Sequence, residues 1–132
     1  MKLLKAWLPV ILWAAVILSA ANDRFSDQQT SGWLDRLFGR MPPEVNVVVR
    51  KGAHVAEYAV LALLASRARR TIVTPLLICL SVACADETLQ AMTVTRTGSA
   101  VDVVWDMTGA ILAVMAVREW SARSAARRTN PR

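Results

Sequence analysis

Four stretches of this chain carry almost no charge, and they leave it few ways to fold. Residues 6–21 and 71–85 hold no ionisable acid or base apart from cysteine thiols. Residues 52–66 carry His54, Glu57 and the phenol of Tyr58, and residues 103–117 carry only Asp106. A helix that crosses the hydrocarbon core of a bilayer needs ~20 mostly apolar residues. Each stretch reaches that length once its polar edges are included. The pattern predicts an all-α integral membrane protein, with four short transmembrane helices in an antiparallel bundle over about 5–22, 46–67, 71–92 and 99–119. The chain has 132 residues, the size of one domain, and is 55% hydrophobic with a mean hydropathy of +0.35. A soluble bundle is the alternative. It would need a polar face along every helix, which these stretches do not offer.

The net charge of +6 is a topology signal. Lys2 and Lys5 precede the first stretch, and Arg67, Arg69 and Arg70 separate the second from the third. Arg118, Arg123, Arg127, Arg128 and Arg132 follow the fourth. The other connections hold Arg24, Arg36, Arg40, Arg50, Lys51 and Arg96, the first of them mixed with Asp23, Asp27, Asp35 and Glu44. Basic residues concentrate in cytoplasmic loops. Both termini, the 67–70 loop and a basic tail over 120–132 are therefore expected in the cytoplasm. Because these residues flank membrane segments, nucleic acid is not the expected partner; anionic lipid can meet the tail. The first stretch, with "MKLLK" before it and "SAA" at 19–21, also fits a cleavable signal peptide.

In the connection between the first two spans, "SGWLDRLF" puts Trp33, Leu34, Leu37 and Phe38 on one stripe, which predicts an outer interfacial helix over 31–38. Pro42 and Pro43 suit the start of the next helix. Cys79 and Cys84 fall on different faces of one helix and make a poor disulfide pair. Trp7, Trp120 and Trp33 are expected at the two interfaces, and Trp13 and Trp105 among packed residues.

The remaining polar groups share a level. At ~1.5 Å per residue from the cytoplasmic edge, Asp106, His54, Asp86 and Asp102 stand at ~18, ~20, ~22 and ~24 Å. Lys51, Glu87 and Gln90 fall in the same band, and Arg96 in the short outer loop. Helical spacing also gathers them by face: Lys51, His54 and Tyr58; Asp86, Glu87 and Gln90; Asp102, Asp106 and Gly109. Gly109 lets a neighbouring helix approach closely. An ionised group at mid-bilayer costs ~2.5–3.5 kcal/mol, so intramembrane charges mark functional candidates. The competing reading is an ion-pair network that only locks helices together. Asp86, Glu87, Asp102 and Asp106 outnumber the cations, which leaves room for a divalent cation held by these acidic oxygens or for shared protons.

In their order, these residues resemble the VanZ-like family of small bacterial membrane proteins. "KGAHVAEY" supplies Lys51, His54 and Tyr58, "DETLQ" supplies Asp86, Glu87 and Gln90, and Arg96, Asp102 and Gly109 keep the family spacing beyond. The resemblance covers roughly 46–113. Val94 and Thr95 replace a Pro-Gly turn, Asp106 stands where the family has Asn, and Ala113 replaces a second Gly. The resemblance implies a multi-pass protein of the bacterial cytoplasmic membrane. Its family name comes from glycopeptide-antibiotic resistance, through lowered teicoplanin susceptibility, and its biochemical activity is not established.

Three function classes follow. A polar site near the extracytoplasmic side would bind or act on a lipid head group or a lipid-linked envelope component. Lys51, His54 and Arg96 would engage anionic oxygen, and His54 with Asp86 or Glu87 is the candidate catalytic pair. An accessory or assembly protein would use the cluster structurally and take a membrane protein partner. A small proton or ion transport element would relay protons through the carboxylates and histidine, with Glu57, Thr108 and Cys79 as a thin path inward.

Overall fold

The computed structural model describes residues 2–21, 32, 36, 39, 42–92 and 99–129. Among them the chain is built from four helices: α1 (Lys2–Ala20), α2 (Pro43–Ala68), α3 (Val73–Ala91) and α4 (Ala100–Thr129).

Prolines open α2. Backbone N–H groups in a helix's first turn have no intrahelical partner, so Pro43 loses nothing there. The helix ends where Arg69 turns extended and its N–H donates to Ala65 O at 2.9 Å. A short turn over 69–72 leads into α3. The start of α4 is set by Ser99, whose Oγ accepts the Val101 N–H at 3.3 Å while its carbonyl accepts the Asp102 N–H at 2.8 Å.

Each helix buries a narrow stripe. On α2 it is Tyr58, Leu61, Ala62, Ala65 and Ser66; on α3 it is Pro75, Cys79, Ala83, Asp86, Glu87 and Gln90. On α4 it includes Asp102, Asp106, Gly109, Ala110, Ala113 and Val114. The stripes are rich in small residues and carboxylates. Large apolar side chains point outward instead: Leu3, Leu4, Leu8, Ile11, Leu12 and Val16 on α1, Leu77 and Leu80 on α3, Leu112 and Met115 on α4. In water this inversion would be costly, because buried carboxylates lose hydration while exposed leucines order solvent. In lipid the leucine term reverses, the carboxylates are kept from hydrocarbon by facing other helices, and small residues let helices pack closely.

The tightest approach joins α2 and α4. A Cβ on Gly109 would lie 2.8 Å from the carbonyl carbon of Val55 and closer still to its oxygen, so only glycine lets these backbones meet. The cross-helix pairs Lys51–Asp102, His54–Asp106 and Val55–Gly109 advance together along both helices. α2 and α4 therefore run parallel, with α3 returning between them. α1 is tied to α2 by Trp13, whose Nε1 donates to Glu57 O at 2.9 Å.

Three helices, α1, α3 and α4, are long and apolar enough to cross a membrane. α2 is the exception to the expected four. Its 26 residues span ~39 Å, ample for a crossing. Arg50, Lys51, His54 and Glu57 lower its hydropathy, and of these Lys51 and His54 pair with α4. α4 differs in length. It continues through the stretch expected as a tail, since Ala122, Ala125 and Ala126 favour helix and Glu119 pairs with Arg123 one turn on. Trp105, expected to pack, is 42% exposed and lies on the outer side of α4. The expected helix over 31–38, Trp33 with it, lies outside the described residues except for Gly32 and Arg36, which are helical.

Candidate functional site

Lys51, His54 and Tyr58 sit on successive turns of α2, so their side chains leave the helix on one face. α4 runs parallel beside that face and presents Asp102 and Asp106, also one turn apart. Lys51 Nζ pairs with Asp102 Oδ1. His54 Nδ1 lies 2.9 Å from Asp106 Oδ1, the ring N–H donating and the carboxylate accepting. Asp106 has no exposed surface at all. Unpaired, a charge so placed would cost several kcal/mol.

α3 closes the third side. Gln90 Nε2 donates to Asp86 Oδ2 at 2.8 Å, one turn apart on the same helix. Glu87 Oε2 accepts the Ser99 N–H at 2.5 Å. That bond caps the start of α4 from a neighbouring helix and places a carboxylate where the helix dipole favours negative charge, by about 0.3–1 kcal/mol. Asp86 and Asp106 are within electrostatic reach of Tyr58, and Asp102 and Asp106 of Glu87. Lys51, His54, Tyr58, Asp86, Glu87, Gln90, Asp102 and Asp106 thus form one cluster from three helices. Arg96 lies outside the described residues.

Within the cluster, three buried oxygens have no partner among the described residues: Tyr58 OH, Glu87 Oε1 and Asp106 Oδ2. Each buried polar atom left unsatisfied costs about 1–3 kcal/mol. The metal reading fares differently. Among the described residues, no three His, Cys, Asp or Glu side chains are grouped to hold a metal ion. Chemically, the cluster offers a histidine–carboxylate pair suited to holding or moving a proton, a phenol, and more acidic than basic groups.

A family model described as VanZ/LLP1 matches residues 6–121. The chain belongs to the VanZ/LLP1 family. No curated protein and no solved structure matches it. The match takes in α2 and α3 whole and most of α1 and α4 in this VanZ-like chain, and so reaches well beyond the cluster. At the position where the resemblance expects Asn, Asp106 gives His54 an anionic acceptor in place of a neutral one.

Sequence spacing did not reveal two participants. The Ser99 backbone N–H reaches Glu87, and Trp13 reaches the Glu57 carbonyl. Ser99 had a signal in "SAVD", a serine three residues before an acid at a helix start. Trp13 had none, because its bond depends on how α1 packs. Cys79, free and buried, places Sγ 3.9 Å from Tyr58 O, while Cys84 is free and exposed.

Proposed function

We propose that this VanZ-like chain binds or acts on the head group of a lipid or a lipid-linked envelope component, at the polar cluster of α2, α3 and α4. The observation that carries this reading is the set of oxygens on Tyr58, Glu87 and Asp106, one from each helix, that have no partner among the described residues. A cluster serving only to lock helices gains nothing from leaving them so. A ligand with hydroxyl or amino donors would meet them, and the excess of carboxylates over Lys51 and His54 suits such donors. Arg96 is the cation assigned to any phosphate. His54 with Asp106 is the proton-handling pair.

The reading includes a topology. α2 is the fourth span, its polar stripe covered by α3 and α4. With four spans both termini share a side, and the arginines at 67–70 and 118–128 support the cytoplasm as that side. The cluster then lies toward the extracytoplasmic face of a bacterial cytoplasmic membrane. The test is lipid and envelope composition in cells carrying wild type, His54→Ala or Asp86→Asn at equal membrane abundance. A changed head-group or lipid-linked precursor pool in the variants supports the reading; identical pools overturn it.

A second reading has its own support. Lys51–Asp102 and His54–Asp106 tie together the same helices that Gly109 brings into contact. In that case the cluster is structural and the chain is an assembly element for a membrane protein partner. Copurification of one stoichiometric partner, unaffected by His54→Ala, would favour it.

A further inference from the structure

At the other end of the bundle, far from the polar cluster, lies a groove of ≈1100 Å³. Its walls are the last turn of α2, the 70–72 turn and the C-terminal part of α4. Arg67, Arg70, Arg118 and Arg128 line it, and among the described residues no acidic one does. We propose that this groove binds the phosphate head group of an anionic phospholipid, from the leaflet that holds the α2–α3 turn.

The charge pattern argues for an occupant. Topology signals require arginines on one side of the membrane; they do not require four of them around one groove. Like charges gathered there repel one another unless an anion sits between them. The nearest acid on α4, Glu119, does not line the groove; it pairs with Arg123 on the exposed face at 2.5 Å. Guanidinium groups offer paired N–H donors that match the oxygens of a phosphate. The hydroxyl-bearing Thr71 and Ser121 also line the groove, adding neutral donors. α3 begins beside it at Val73, and no side chain caps that start.

The walls argue for a lipid rather than a free anion. Ile72, Val114 and Val117 line the groove with the arginines, and Val73, 64% exposed, opens the apolar outer face of α3 directly after them. A phosphate seated among the arginines would have apolar surface beside it for acyl chains. The depth fits too. α4 is 30 residues, ~45 Å long, and the hydrocarbon core is ~30 Å thick, so the part bearing Arg118 to Arg128 emerges at head-group level. Trp120, 76% exposed, has the place of an interfacial anchor. Basic pockets between spanning helices on the cytoplasmic side are a known form of lipid recognition.

The test is native mass spectrometry of the delipidated full-length chain with added dioleoylphosphatidylglycerol, dioleoylphosphatidylcholine or inorganic phosphate. The expected result is at least tenfold tighter binding of the phosphatidylglycerol than of the phosphatidylcholine. Arg67→Gln/Arg118→Gln should remove that preference, and Arg123→Gln, outside the groove, should keep it despite the lower net charge. Should the double variant lose helicity, Arg128→Gln alone should weaken the preference several-fold. Equal binding of the two lipids, an undiminished preference in a folded groove variant, or displacement of the lipid by millimolar phosphate would each overturn the proposal.

Discussion

Asp106 Oδ1 accepts from His54 Nδ1 at 2.9 Å, on the two helices that touch at Val55 and Gly109. The two contacts depend on each other. Only a glycine at 109 brings α4 near enough for a short aspartate to reach an imidazole on α2. Only paired charges make that burial tolerable in a membrane.

Gly109→Ala should therefore be severe for so small a change. The added methyl meets backbone, which cannot rotate away, so the helices must separate. Overpacking typically costs about 1–3 kcal/mol, and the upper end is expected here. Thermal unfolding of the detergent-solubilised chain should show the loss, and an unchanged midpoint would mean the close approach is absent in solution.

Lys51 and Asp102 should behave as a coupled pair. Lys51→Met alone leaves a mostly buried carboxylate without its cation and should destabilise by about 1–3 kcal/mol, discounted because the lysine is partly exposed. Lys51→Met/Asp102→Asn should recover part of that loss. A double-mutant cycle with no coupling would separate the two side chains.

His54 is the chain's sole histidine, so its imidazole can be read directly. With Asp106 accepting from Nδ1, ring nitrogen NMR should report a protonated Nδ1. Asp106→Leu should remove that preference. A wild-type ring protonated on Nε2 alone would contradict the pairing.

The proposed topology predicts which loops a membrane-impermeant thiol reagent reaches. In a Cys84→Ser background, a cysteine replacing Thr97 should label from outside the cell. One replacing Arg69 should label only after permeabilisation. The reverse pattern would turn the bundle over and put the polar cluster on the cytoplasmic side.

Much of this was written in the sequence. Charge-free stretches marked the helices, and three-and-four spacing gathered Lys51, His54 and Tyr58 on one face, because helix geometry is local. The partners were not legible in the same way. Spacing offered Asp86 or Glu87 to His54, yet Asp106 holds it, since that choice depends on α2 and α4 running parallel in a register set at Gly109. The arginine groove was invisible for a related reason. Its arginines lie up to 61 positions apart, from Arg67 to Arg128, and meet only because α4 continues as a helix through the stretch expected as a tail. Trp105 was misplaced because an aromatic ring within a span faces lipid as readily as protein.

Tyr58→Phe offers the most direct test of the cluster as a site. It deletes one buried hydroxyl that has no partner among the described residues, and nothing else, so a purely structural cluster should lose no stability and no function. Lipids copurifying with the full-length chain can be quantified by mass spectrometry in the Arg67→Gln/Arg118→Gln background, which removes the groove's contribution. The account predicts a head-group-bearing molecule held by Tyr58 and reduced at least tenfold in Tyr58→Phe at unchanged helicity. An identical set of bound molecules with and without the hydroxyl would contradict it.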